Sequence, residues 1–170
     1  MNTPPSTLEN DVTREATITL PSDRETVITR EFDAPAGLVF DAFTKPDLVQ
    51  QWYGLRTGTM TVCEIDLRPG GHWRYVQAFP DQAFEAGFLR RLPGGRSTEP
   101  AGPHRGVEAM PGTGYVVTTT FAENDGRTTV TSHMLYQLPE HRDGHLQSGM
   151  EWGVNETYVR LDEYLAAQMI

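Results

Sequence analysis

One cysteine, one lysine and no long apolar run set the first limits on this 170-residue chain. A lone Cys63 excludes an intramolecular disulfide and every metal pattern built on paired cysteines, and the expectation for it is a buried, reduced thiol. The opening residues, MNTPPSTLENDV, carry no apolar stretch, so neither a secretory leader nor a membrane span is expected there and the expected location is the cytoplasm. Basic residues number 14 against 23 acidic ones, a formal charge of −9, and the one basic cluster is Arg90-Arg91. That balance argues against a nucleic-acid or anionic-membrane partner. Lys45 is the only lysine, and the skew toward Arg, Gly, Pro and Ala reads as GC-rich bacterial coding rather than as chemistry. Also missing are G-x-S-x-G, H-E-x-x-H and a phosphate loop; Gly94-Gly95 has neither a lysine nor a helix start behind it. No metal, cofactor or catalytic residue is assigned.

What is present is organised as one domain, residues 13–170, behind a flexible tail at 1–12. Ala16, Ile18 and Leu20 alternate with polar residues, and a second strand runs from Val27 to Phe32. Asp33-Ala-Pro35 starts a short helix through Leu38, Val39, Ala42 and Phe43, with Asp33 as its expected cap, and Asp47 to Trp52 adds a turn or two before Gly54. Strands and turns follow: Thr59 to Leu67, the Arg68-Pro-Gly-Gly71 turn, His72 to Phe79, Phe84 to Leu92, a strand through Tyr115 and Phe121, the Asn124-Asp-Gly126 turn, and Thr128 to Leu138. Leu146, Met150, Val154, Thr157, Leu161 and Leu165 then form a helical stripe within a proline-free segment from about Glu140 to Ala167. A strand-rich body followed by one long helix predicts an α+β fold in which a sheet wraps that helix.

Four stretches carry a family resemblance: LPSDRETVITREFDAPAGLVFDAFTKPDLVQQWYG, TVCEIDLRPGGHWRYV, VTTTFAENDGRTTVTSHMLY and SGMEWGVNETYVRLDEYL. In this order they resemble bacterial SRPBCC proteins of the activator-of-Hsp90-ATPase-homologue branch, within the START and Bet v 1 superfamily. The resemblance spans roughly residues 18 to 167. It implies a helix-grip fold, a curved antiparallel sheet closed around a long C-terminal helix, with two short helices near the N-terminus. Residues Arg90 to Gly106 depart from the family pattern, being rich in Gly, Pro and Arg. They are either a long loop at the cavity mouth or a local reading-frame anomaly.

The aromatic residues supply the functional expectation, because one helix cannot fill the concave face of such a sheet. The expected function is binding or sequestration of an apolar or aromatic small molecule. Its expected contacts are Trp52, Tyr53, Trp73, Tyr75, Phe79, Phe88, Tyr115, Met134, Tyr136, Met150, Gly153 and Thr157. Gly153 lets a strand or a ligand approach the helix backbone. The alternatives are a self-resistance protein against a reactive natural product, a cyclase or hydratase using His133 or Tyr136, and a chaperone-interacting domain. The chain is expected as a monomer or homodimer. His141 and His145 have the i, i+4 spacing of metal ligands but no third partner, and read as a solvated helix start; His72 and His104 read as exposed. Glu64, Asp66, Arg68 and Arg74 read as ion pairs on the outer sheet face, and Glu151 and Glu156 as solvated charges.

Overall fold

A computed structural model describes residues 15–66, 72–80, 85–91, 104–107 and 115–170; the expected tail and the Arg68–Gly71 turn lie outside the described residues. Strands β1 (Thr17–Thr19), β2 (Glu25–Phe32), β3 (Thr59–Ile65), β4 (His72–Ala78), β5 (Glu85–Arg91), β6 (His104–Val107), β7 (Tyr115–Asn124) and β8 (Arg127–Tyr136) form one antiparallel sheet. Their order is β1-β2-β8-β7-β6-β5-β4-β3. Helices α1 (Ala36–Thr44) and α2 (Pro46–Trp52) join β2 to β3, and α3 (Pro139–Gln147) and α4 (Met150–Gln168) follow β8. This is the expected α+β architecture, an antiparallel sheet with the C-terminal helix packed on it.

Local chemistry explains the elements. Thr26, Ile28, Arg30 and Phe32 of β2 are buried while the residues between them are half-buried, the period-2 signature of a strand with one face on a core. Asp125 (φ 52°) and Gly126 (φ 75°) both take left-handed backbone, as a two-residue hairpin requires, and bring β7 and β8 together from Asn124↔Arg127 to Tyr115↔Tyr136. The indole N–H of buried Trp52 donates to the Ala42 carbonyl at 2.9 Å and locks α2 against α1.

Four expectations are corrected. Asp33 does not cap α1: its carboxylate takes the Arg127 Nε–H at 2.9 Å, and the Ala36 N–H donates instead to Glu123 Oε2 at 2.7 Å, a carboxylate delivered from β7 to the positive end of the helix. The Arg90–Gly106 segment is not loop throughout, because it starts in β5 and ends in β6; His104 pairs in register with Arg91 and Val116. Cys63 is half-buried rather than buried. The expected single terminal helix is two. Ser148 N–H returns to the carbonyls of Gly144 and His145, its hydroxyl donates to the His145 carbonyl at 2.6 Å, and Gly149 (φ 84°) adopts the left-handed conformation that ends α3 and lets α4 start in a new direction.

Helix α4 is seated from its middle to its C-terminal end. Tyr158, Leu161, Tyr164 and Leu165 are buried, and Tyr158 meets Phe32 edge-on at 5.3 Å. Arg30, on the inner face of β2 with a side chain 2% exposed, forms a two-point ion pair with Asp162 of α4 and lies 4.7 Å over the Phe32 ring. Removing the carboxylate takes the counter-charge from a buried guanidinium that keeps its hydrogen bond to the Glu31 carbonyl, whereas removing the guanidinium takes the buried charge away with it. Asp162→Asn should therefore lower stability by about 1.5–3 kcal/mol and Arg30→Met by less. Urea unfolding of both variants checks this, and an Asp162→Asn protein as stable as the parent would contradict it.

Candidate functional site

Because α4 is held at its far half, its N-terminal half spans a chamber of about 670 Å³ over the inner sheet face. The floor is Ile28 of β2, Ser132 and Met134 of β8, Val117 and Thr119 of β7, and Tyr75 and Gln77 of β4. The roof is Met150, Gly153, Val154, Thr157 and Tyr158 of α4, with Trp152, 63% exposed, among the lining residues. Phe43, Trp52 and Tyr53 close one side, and His145 with Ser148-Gly149 lines the break between α3 and α4.

The aromatic side is a continuous run of ring contacts: Phe121 to Phe43 at 5.3 Å, Phe43 to Trp52 at 4.8 Å, Trp52 to Tyr53 at 5.7 Å and Tyr53 to Tyr75 at 4.8 Å. These rings fill part of the concavity by packing on one another, and the chamber is what remains.

The segment from Tyr53 to Gly58, between α2 and β3, is fixed at the chamber rim by polar contacts. The Gln77 side chain donates to the Leu55 carbonyl at 2.9 Å and accepts from the Leu55 N–H at 3.3 Å. Arg160 of α4 donates to the carbonyls of Gln51, Tyr53 and Gly54, so its guanidinium satisfies the C-terminal end of α2. Burial lowers the Arg160 pKa, with the nearby Arg56 charge acting in the same direction. Gly54 (φ 86°) is left-handed, and a Cβ there would come within 2.5 Å of the Gln77 amide, so both backbone and space require glycine.

Of the expected contact residues, Trp52, Tyr53, Tyr75, Phe79, Met134, Met150, Gly153 and Thr157 line the chamber. Tyr115 and Tyr136 are on the inner face but do not line it: their rings pack on each other at 4.8 Å and on His145, and only 2% and 1% of them is exposed. Trp73 and Phe88 lie in β4 and β5, where their side chains fall outside the described residues. A Cβ at Gly153 would meet only Leu55 among the described residues, at 3.9 Å, so none of the described strand residues packs on it.

His145 corrects the reading of a solvated helix start. Its Nδ1 is 2.6 Å from the Tyr136 hydroxyl, and the ring lines the chamber. His133 points the other way: its Nε2 lies 2.6 Å from Glu25 on the outer face, and hydrogen bonds from Ser22 and His133 hold the Glu25 carboxyl below its usual pKa. Glu156 is not simply solvated, since its Oε1 accepts the Arg56 N–H at 3.0 Å. On the outer face, register sets Glu64 opposite Arg74. Among the described residues no cluster of His, Cys, Asp and Glu could hold a metal ion, and no helix is long and apolar enough to cross a membrane.

Thr119, which alternation sets on the same strand face as Tyr115, Val117 and Phe121, and Ser132 are not among the expected contacts; they oppose each other in register with their hydroxyls 3.1 Å apart. The signal for them was available, because strand parity puts both beside Val117 and Met134 on the inner face. Leu55 and Trp152 carried no periodic signal, one lying in a loop and the other off the apolar stripe.

Residues 33–89 match the family described as Activator of Hsp90 ATPase homolog 1-like protein. No curated protein matches the chain. A crystal structure from Rhodobacter sphaeroides is similar over 90% of this chain and 99% of its own, at 27% identity and a TM-score of 0.81. A solution structure from Staphylococcus epidermidis is similar over 89% of this chain and 94% of its own, at 26% identity and a TM-score of 0.70. An AHSA1-like protein from Aeromonas hydrophila, 20% identical, shares the fold over 84% of this chain and 93% of its own with a TM-score of 0.60.

Cys63 is the one thiol near this site, with its Sγ 3.6 Å from the Pro46 carbonyl. Burial, and secondarily the Asp47 carboxylate, pushes its pKa up to about 11 from an ordinary 9.0. The native state thus keeps a proton that the unfolded chain releases; this stabilisation is present below pH 9 and is lost as pH rises toward 11. At pH 8 native Cys63 should react with a disulfide reagent at least about tenfold more slowly than in urea. Stopped-flow labelling reads the ratio, and equal rates would contradict a suppressed thiolate.

Proposed function

We propose that this chain, an AHSA1-like protein of the SRPBCC superfamily, binds an apolar or aromatic small molecule in the chamber between the sheet and the N-terminal half of α4. The observation that carries this reading is the chamber itself. Its volume of about 670 Å³ falls within the range that takes a drug-sized molecule, and its walls combine aromatic rings and aliphatic side chains with hydroxyl, amide and imidazole groups and no Asp, Glu, Lys or Arg among the described lining residues. Trp52, Tyr53, Tyr75, Met134, Met150 and Thr157 are the contacts assigned to the ligand. Transport and sequestration of a reactive natural product both begin with this binding step, and the geometry supports the step they share.

Gly153→Leu separates binding from folding. A Cβ at this position meets only Leu55 among the described residues, at 3.9 Å, and leucine replaces a glycine in the first turn of α4, so stability should hold or rise by up to about 1 kcal/mol. Binding of the neutral fluorescent probe N-phenyl-1-naphthylamine should weaken at least about tenfold, equivalent to about 1.4 kcal/mol. Probe titration together with thermal melting checks both halves. No binding by the parent protein, or undiminished binding by Gly153→Leu, would overturn the proposal.

A further inference from the structure

The chamber floor contains a polar pair with an uneven hydrogen count. Thr119 Oγ1 and Ser132 Oγ are 3.1 Å apart, and the two residues are 9% and 8% exposed. Two hydroxyls carry two hydrogens, and the bond between them uses one. Neither side chain has another hydrogen-bond partner among the described residues, and both line the chamber. Whichever oxygen donates within the pair, one O–H is left over, and a buried donor with no acceptor is destabilising.

The neighbouring acceptors are engaged elsewhere. Gln77 Oε1 accepts from the Leu55 N–H, and His145 Nδ1 lies 2.6 Å from the Tyr136 hydroxyl. None of the described lining residues is Asp, Glu, Lys or Arg. The guanidinium of Arg160 is directed at the carbonyls of Gln51, Tyr53 and Gly54. A carboxylate or ammonium inside would therefore lose its hydration against a described lining whose one basic side chain, the His145 imidazole, is already bonded to the Tyr136 hydroxyl through Nδ1.

We infer that the chamber selects a neutral apolar molecule bearing an oxygen acceptor of the carbonyl class, which takes the spare hydrogen of the Thr119–Ser132 pair. This rests on the ligand-binding reading above and names the ligand class for the same site. Met134 and Val117, apolar neighbours on the same two strands, hold the hydrocarbon body of the molecule beside the pair. The hydroxyl pair thus sets orientation and selectivity, and the apolar surface supplies most of the affinity.

Three shape-matched probes test it by displacement of N-phenyl-1-naphthylamine: 2-acetylnaphthalene, 2-ethylnaphthalene and 2-naphthoate. In the double variant Thr119→Val/Ser132→Ala, the ketone-to-hydrocarbon affinity ratio should fall about five- to tenfold from its value in the parent, with the hydrocarbon bound at least as tightly as before. Thr119→Ser, which keeps both hydroxyls, should preserve the ratio, and the parent should bind the naphthoate more weakly than the ketone. Thermal melts confirm folding, and the single variants Thr119→Val and Ser132→Ala carry the comparison if the double variant does not fold. A ratio unchanged within twofold, or ketone and hydrocarbon weakened together, would overturn the role of the pair. Naphthoate bound as tightly as the ketone would overturn the selection of a neutral ligand. Failure of the underlying reading registers separately, as no dye binding by the parent, and would remove this inference with it.

Discussion

The structure depends on an asymmetry in how one helix meets a broad sheet. From its middle to its C-terminal end α4 is bound tightly, through the Tyr158–Phe32 contact, Leu161, Leu165 and the Arg30–Asp162 pair. The N-terminal half meets the rest of the chain through buried Met150 and through polar contacts at its edges, where Asn155 Oδ1 takes the Ala16 N–H at 2.8 Å and Glu156 Oε1 the Arg56 N–H at 3.0 Å, and Gly153 presents no side chain to the sheet. An eight-stranded antiparallel sheet is wider than one helix can cover, so seating the helix at one end necessarily opens space at the other. Burial of Arg30 fits this design: a charged side chain on an inner face is tolerable only where a carboxylate meets it, which fixes both the depth and the rotation of α4.

The rest of the molecule shapes that space. Helices α1 and α2 close one side, coupled by the Trp52–Ala42 hydrogen bond and the run of rings from Phe121 to Tyr75. Gln77 and Arg160 hold the Tyr53–Gly58 segment through its own backbone groups, so the rim is tied to both the sheet and α4. The left-handed turn at Gly149 brings His145 and α3 across the remaining side.

Much of this was legible in the sequence, for identifiable reasons. Alternation along Thr26–Phe32 and Tyr115–Phe121, and the Asn-Asp-Gly turn, are local signals, and the structure follows them. The apolar stripe from Met150 to Leu165 identified the packed face of α4, and eight of the expected contact residues line the chamber beneath it. What escaped was non-local. Arg30 and Asp162 are 132 residues apart, and nothing near either names the other. Glu123 reaches the start of α1 from a strand 87 residues away, so the nearer Asp33 was the natural but incorrect choice of cap. The helix break was hidden because Ser148-Gly149 interrupts an apolar stripe without interrupting its spacing. Thr119 and Ser132 were visible by parity but looked like ordinary β-strand residues until their pairing gave them a shared, unfinished hydrogen bond.

The account turns on whether an apolar molecule enters between α4 and the sheet, and the methionines report on that directly. Met134 lies in the chamber floor and Met150 in its roof, while Met169 is exposed beyond the end of α4. With ¹³C-methyl methionine, titration with 2-acetylnaphthalene should shift the Met134 and Met150 resonances and leave Met169 in place. Shifts at Met169 with Met134 and Met150 unmoved, or no shifts at all, would contradict a binding chamber at this site.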